Sequence, residues 1–344
     1  MSNQEMWVDS KPAPLLAVHE LSVRFQSDEG LHTVLDGVSL TIEPGQTVGL
    51  VGESGCGKSV TALAIMGLLP RPIGQASGGS IHLQGDDLLA MSPSERYQMR
   101  GNRIAMIFQE PMTALNPVQT IGAQLCEVYA LHRQDYTRQQ QREAAIEMLR
   151  QVGIPEPTQR MQSYPHQLSG GMRQRVMIAM ALACEPDLLI CDEPTTALDV
   201  TIQAQILDLM RQLQRQRGMA LLFITHDLGV VAEMCDQVVV MYAGRVVEQC
   251  DVFSLFESPR HPYSRGLLRA MPRLDDEPKT LLPTIPGQVP ALGDMPPGCR
   301  FANRCAYQSE CCHRASPADE QVASGHRVAC HHWRNLLAEG AAHE

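Results

Sequence analysis

Thr47-Val48-Gly49-Leu50-Val51-Gly52-Glu53-Ser54-Gly55-Cys56-Gly57-Lys58-Ser59 decides how this chain folds. Its first five residues form a short, continuously apolar run, as in a strand buried on both faces. The next eight fit G-x-x-x-x-G-K-[ST], in which the glycines let backbone N–H groups converge on an anion. Ser59 to Leu69 reads as a helix closed by Pro70, and its N-terminal end adds partial positive charge. Strand, glycine loop and helix in that order predict a phosphate-binding loop. Lys58 is then placed to reach β- and γ-phosphates, and Ser59 to ligate Mg²⁺.

The flanking sequence continues the pattern. Leu16 to Phe25 alternates like an edge strand, and residues 34 to 43 read as another strand. Ile104–Phe108, Leu188–Cys191 and Leu221–Ile224 are further apolar runs of strand length. Residues 120 to 152, Gly171 to Cys184 and Ile202 to Arg217 are helical in pattern. Strands alternating with helices predict an α/β fold with a largely parallel sheet. After about residue 255 prolines arrive in quick succession, from Pro259 to Pro297. Helices and central strands tolerate that poorly, so a loop-rich extension is expected over residues 256 to 335.

Polar residues close several of the apolar runs. Asp192 and Glu193 follow Leu188–Cys191, where a carboxylate pair is costly unless it holds an ion or polarises water. Asp192 is placed to bind Mg²⁺ through its water shell, and Glu193 to act as general base on an attacking water. Capping the next helix is the alternative. Gln109 follows Ile104–Phe108, where its amide could sense Mg²⁺ and the lytic water. His226 ends Ile224-Thr225-His226, where a γ-phosphate contact is expected. Ser169-Gly170-Gly171 starts a helix with a good N-cap. Two glycines beside it weaken that helix by about 1 kcal/mol each, which a closely approaching ligand would explain. One ATP pocket cannot use both this tip and the phosphate loop of the same chain.

Taken together, these motifs resemble the ATP-binding cassette (ABC) family over residues 14 to 255. Walker A is Gly52–Ser59, the Q-loop residue Gln109, the signature Leu168-Ser169-Gly170-Gly171-Met172, Walker B Leu188–Glu193, the D-loop Ala197-Leu198-Asp199 and the switch histidine His226. The signature runs on as Arg173-Gln174-Arg175, where many members carry Gln-Gln-Arg. The resemblance implies a P-loop NTPase fold with a helical subdomain at about 110–180. It also implies a head-to-tail dimer in which one chain's Walker A and the other's signature enclose each ATP. Contacts to ATP and Mg²⁺ would come from Phe25, Gly52, Glu53, Ser54, Gly55, Cys56, Gly57, Lys58, Ser59, Val60, Gln109, Ser169, Gly170, Gly171, Asp192 and His226. Phe25 would stack on adenine; a core role for that ring competes. Glu193, His226, Gln109 and Lys58 would carry catalysis, and Ser59, Gln109 and Asp192 the Mg²⁺.

Phe108–Pro117, Tyr164–Arg175, Ser258–Ser264 and the tail Gly298–Cys305 are similar to the dipeptide/oligopeptide importer subfamily. That likeness implies a second, different ATPase subunit, two membrane-spanning permease subunits and an extracytoplasmic peptide-binding protein. It implies a peripheral place on the cytoplasmic face of the cell's inner membrane. Another cargo, such as nickel or glutathione, and a soluble iron–sulfur assembly scaffold are the alternatives. The net charge of −10 argues against a nucleic-acid binder. The start lacks a basic, then apolar, leader, and no apolar stretch is long enough to span a bilayer.

Five of the 11 cysteines fall between Cys299 and Cys330. Cys299, Cys305, Cys312 and Cys330 are spaced C-x5-C-x6-C-x17-C, wider than most structural zinc sites. Four thiolates also hold a [4Fe–4S] cluster, and the subfamily likeness leans that way. Zinc stays open, with His313, His326, His331 and His332 nearby, as does a cluster that holds no metal. Either group would staple a proline-rich segment.

Overall fold

The computed structural model describes residues 13–340 except 29, 110–113, 196–198 and 273–282, with side chains through residue 336. The strand that feeds the phosphate loop, β3 (Thr47–Val51), stands inside an eight-stranded sheet. On one side follow β8 (Ala220–Thr225), β7 (Leu188–Asp192) and β6 (Ile104–Ile107); on the other lies β9 (Gln237–Tyr242). These five strands are parallel. Beyond β9 the direction reverses through β10 (Arg245–Asp251), β12 (His326–Val328) and β11 (Glu320–Ala323).

The apolar runs are continuous because both faces of this sheet are covered. Leu188 and Ile190 of β7 enter one core, Leu189 and Cys191 the other. Leu222 and Ile224 of β8 part from Leu221 and Phe223 in the same way. One face is covered by a four-stranded antiparallel sheet in the order β2-β1-β4-β5: β1 (Leu16–Ser27), β2 (Gly30–Ile42), β4 (Gly74–Leu83) and β5 (Asp86–Asp87). Helices α1 (Lys58–Ile65) and α2 (Pro93–Met99) add Ile65 and Met99 to that core. The core on the other face is shared with α3 (Ile121–His132), α4 (Arg138–Gln151), α6 (Gly170–Leu182), α7 (Val200–Arg217) and α8 (Leu228–Met234), while the short α5 (Pro157–Arg160) buries no residue.

Three expectations are corrected. The strand at Leu16–Phe25 is not an edge, since β1 pairs with β2 and β4. Its alternation records one face on the core and one in water, as His19, Glu20 and Arg24 show. The helix after the phosphate loop stops at Ile65, not Leu69. Gly67 takes φ 63, with Leu68 N–H donating to Leu63 O and Gly67 N–H to Ala64 O, a Schellman stop. The helical stretch 120–152 is two helices. Thr137 restarts the chain with a capping box, exchanging bonds with Gln140.

After β10 comes α9 (Val252–Glu257), the last helix before the prolines; the extension then holds α10 (Pro262–Arg269), α11 (Glu310–Arg314) and α12 (Trp333–Gly340). It also lengthens the main sheet, because β12 pairs with β10. Its attachment centres on Glu248 of β10, which is 1% exposed. The Glu248 carboxylate accepts from Arg260 N–H at 2.5 Å, His261 N–H at 3.0 Å and His326 Nε2 at 2.8 Å. His261, fully enclosed, caps α10 by accepting Tyr263 N–H on Nδ1 at 3.0 Å.

This attachment is sensitive to acid. Burial alone would raise the Glu248 carboxyl, but His326 and the Arg260 N–H together hold it below the ordinary range. Burial drives the His261 imidazole from 6.5 down to about 4, partly opposed by Glu248. Both groups bind fewer protons folded than unfolded. Stability therefore rises with pH across that window and is lost as pH falls through it. His261→Asn keeps an acceptor at the helix cap but takes no proton. It should flatten the pH dependence of the denaturation free energy between pH 6.5 and about 4 by about one proton, up to about 3 kcal/mol over the window. A slope equal to the parent's would contradict this.

Candidate functional site

The C-terminal ends of the parallel strands lie along one edge of the sheet. In open α/β sheets that edge is where ligands bind. β3 delivers Gly52–Lys58, β6 delivers Gln109, β7 delivers Asp192 and Glu193, and β8 delivers His226.

The phosphate loop needs its glycines for two reasons. Gly52, Gly55 and Gly57 sit at φ 151, 78 and 105, which side-chain-bearing residues rarely adopt. At Gly52 a Cβ would also fall 2.2 Å from Met241 O, and at Gly57 2.5 Å from Leu35 Cδ2. Gly57 is the N-cap of α1 and offers it no side-chain cap, leaving first-turn N–H groups free to meet an anion. Lys58, 6% exposed, folds back so that Nζ donates to Gly52 O at 2.8 Å and Glu53 O at 3.1 Å. Ser54 and Gly55 are exposed, Cys56 is buried with its Sγ 3.8 Å from Lys58 Nζ, and Val60 is half-buried on α1.

Glu53 behaves differently from the rest of the loop. Its N–H donates to Tyr263 Oη at 2.8 Å. Its carboxylate accepts both Nη atoms of Arg304, at 2.6 and 3.0 Å. Its N–H and carboxylate thus both turn toward the extension, while its carbonyl stays on Lys58. Nothing in the local sequence signals these partners, which stand 210 and 251 residues away.

The Ser59 side chain lies close enough to the Asp192 carboxyl to lower it, which sets the loop beside β7. Asp192 is 6% exposed and its carboxyl is raised, first by burial, with Glu193 adding and Ser59 and Lys58 opposing. Its Oδ1 is buried without a hydrogen-bond partner. An orphaned carboxylate oxygen beside a serine hydroxyl is a fitting pair of hard ligands for Mg²⁺.

Glu193 is the point of convergence. Its backbone takes φ 47, a left-handed strain concentrated at functional positions. Its N–H donates to Ile224 O at 2.9 Å, fixing it to β8. Gln109 Nε2 donates to Oε2 at 2.9 Å, and His226 Nδ1 meets Oε1 at 3.0 Å. Against an ionised carboxylate the histidine bonds only with the proton on Nδ1. Three residues from three strands are thus brought together at this carboxylate.

The signature region stands on α6. Ser169 caps it, accepting Met172 N–H at 3.3 Å. The two glycines divide. A Cβ on Gly171 would meet Ile202 Cγ2 at 3.0 Å, so packing on α7 explains that residue from within the chain. Gly170 has nothing within 4 Å and no positive φ, so nothing among the described residues requires it. Gln174 links this helix to the loop after Glu193, donating to Pro194 O at 2.5 Å. The Ala197-Leu198 part of the D-loop and Glu110–Thr113 lie outside the described residues; Asp199 caps α7. Phe25, half-buried on β1, packs against the antiparallel-sheet core and the backbone at Gly74.

Comparison with known proteins decides the family. The ABC transporter profile matches residues 35–196, and that of the oligopeptide/dipeptide transporter C-terminal region residues 247–312. An ATP-binding protein of Brucella melitensis, whose name assigns it to peptide import, is 52% identical over 94% of this chain and 99% of its own. The dipeptide transport ATP-binding protein DppD of Escherichia coli is 49% identical over 92% of this chain and 96% of its own.

This chain belongs to the ABC transporter family.

It is a P-loop ATPase cassette that binds ATP and Mg²⁺, coupled to transport. Among solved structures it resembles the dimeric post-hydrolysis state of the ATP-binding cassette MJ0796 bound to ADP and Pi. The TM-score is 0.62 at 26% identity, over 69% of this chain and 98% of that one.

The cassette's cysteine-rich extension forms a second cluster. Cys299 N–H donates to Cys312 O at 2.7 Å. The thiols of Cys299, Cys305, Cys312 and Cys330 stand near enough to act on one another electrostatically. Burial pushes Cys305 up to about 11 and Cys330 up to about 12, so their thiolates need a cation to form. The tighter cluster, with ligand atoms within 4.8 Å, is instead Cys311, Cys312 and His332. Ser309 Oγ sits among these three, 2.7 Å from His332 Nε2.

Proposed function

We propose that this cassette is the ATP-hydrolysing subunit of an importer that drives uptake of di- and oligopeptides. The C-terminal-region match and the names of its relatives support that cargo class. The observation that carries the chemistry is the Glu193 carboxylate, held between Gln109 and His226 beside Asp192 and Ser59.

In this reading the N-terminal end of α1 and Lys58 bind the phosphates. Ser59 and Asp192, with Gln109 beside them, hold Mg²⁺, which when bound neutralises developing charge on the phosphoryl oxygens. Glu193 takes a proton from the attacking water, while Gln109 and His226 fix its orientation. Phe25 lies against the adenine. Ser169 and Gly170 close over an ATP held by a companion cassette, of a different chain, whose own signature closes over the ATP here. The unexplained openness at Gly170 supports that facing partner.

Membrane coupling falls to two permease subunits, served by an extracytoplasmic peptide-binding protein. Among the described residues no helix is long and apolar enough to cross a membrane. The surface beside Gln109 supports docking of a permease. Phe108 and Leu131 are 42% and 45% exposed there, in a groove shared with Met106, Leu115, Met177 and Met180. In this reading the cassette sits peripherally on the cytoplasmic face of the inner membrane.

Cys299, Cys305, Cys312 and Cys330 are read as ligands of a [4Fe–4S] cluster with a structural role. A single zinc ion at about 2.3 Å from each sulfur would draw four thiols within about 4 Å of one another. Among the described residues these four do not form a group that tight.

Glu193→Gln should lower ATP turnover at least about 100-fold while ATP binding persists, trapping a closed, ATP-loaded dimer. Turnover at the parent's rate would remove Glu193 as base. Protein purified without oxygen should be brown, with broad absorbance at the visible–ultraviolet edge. A colourless sample containing zinc would replace the cluster with zinc.

A further inference from the structure

The extension reaches the phosphate loop itself. Between Cys299 and Cys305 the chain presents three residues to the ATPase core. Arg300 bonds Asp36 of β2 and the Ala243 carbonyl after β9. Phe301 packs edge-on against Tyr242 of β9 and Tyr263 of α10, with ring centres 5.1 and 5.4 Å away. Tyr242 and Tyr263 close the triangle at 4.8 Å. Arg304 lies beside this aromatic trio, its guanidinium 5.7 Å from the Tyr242 ring and its side chain 5% exposed.

Every polar group of Glu53 is then committed. The carboxylate takes a two-pronged bond from Arg304, the N–H bonds Tyr263 Oη, and the carbonyl accepts Lys58 Nζ. Arg304 is itself aimed by the carbonyls of Ile285 and Pro286. A planar fork matched to a carboxylate fixes direction as well as distance. Glu53 immediately follows Gly52, whose carbonyl is the other acceptor of Lys58. Fixing Glu53 therefore fixes both carbonyls that position the lysine ammonium.

We propose that Arg304, with Tyr263, is a positioning residue for ATP binding. It clamps Glu53 and thereby sets the phosphate loop, making the nucleotide site depend on a folded cysteine-rich extension. This rests on the nucleotide-site assignment above. It goes beyond it by giving the extension a direct mechanical hold on Lys58.

The test uses the full chain in its assembled transporter, reading nucleotide affinity with a fluorescent ATP analogue alongside KM and kcat. Arg304→Ala should weaken nucleotide binding and raise KM by about tenfold or more, with kcat at saturation changed less. Arg304→Lys, which keeps charge but not the fork, should recover part of the loss. Arg304→Ala combined with Glu53→Ala should bind no worse than Arg304→Ala alone. Tyr263→Phe keeps the ring and loses only the acceptor; it should raise KM about threefold with the metal content of the cysteine site unchanged. Parent-like affinity in Arg304→Ala or in Tyr263→Phe would overturn the clamp, as would fully additive losses in the double variant. Lys58→Ala, measured alongside, reports on the nucleotide site itself. Binding lost there but kept in Arg304→Ala sinks the clamp alone.

Discussion

Glu193 sits in a backbone conformation that side-chain-bearing residues avoid, and its carboxylate is held at both oxygens by residues from other strands. That arrangement depends on parallel register. β6, β7 and β8 must end at one edge for Gln109, Glu193 and His226 to meet. The buried sheet supplies this rigidity, since its residues alternate between two cores and a one-residue slip would exchange every side chain between them. The strain at Glu193, of order 1–3 kcal/mol, is offset by the Glu193 N–H bond to Ile224 and by the packing on either side.

Much of this was legible in the sequence because its signals are local. An apolar pentad, a glycine loop and a helix announce one another within twenty residues, and polar residues ending apolar runs mark the strand ends. Departures arose where tertiary context decides. Alternation at Leu16–Phe25 cannot separate an edge strand from an interior strand with one wet face. Thr137 and Gln140 restart a helix inside a stretch that is helical throughout by composition. β11 and β12 are short and polar, and exist because β10 offers an edge. Gly170 and Gly171 look alike in sequence, yet among the described residues only Gly171 has a partner, Ile202.

The least legible feature is the hold of the extension on the core. Glu53 lies within the most recognisable motif of the chain, so its side chain invites a nucleotide role. Arg304 and Tyr263 belong to a proline-rich segment with no periodic pattern, and only the folded chain brings them to the loop. The Glu248–His261–His326 attachment is hidden for the same reason. Together they make the extension part of the ATPase core, stapled to β10 at one end and to the phosphate loop at the other.

The central claim is that each ATP is gripped from both sides, by the lysine-bearing loop of this chain and the serine–glycine tip of a companion. The most direct measurement is the ATPase rate per molecule of this chain as it is diluted, alone and with the companion cassette and permeases present. The rate per molecule should fall toward zero on dilution of the isolated chain and stay constant in the intact assembly. A single isolated chain that hydrolysed ATP at the full rate, regardless of dilution, would contradict it.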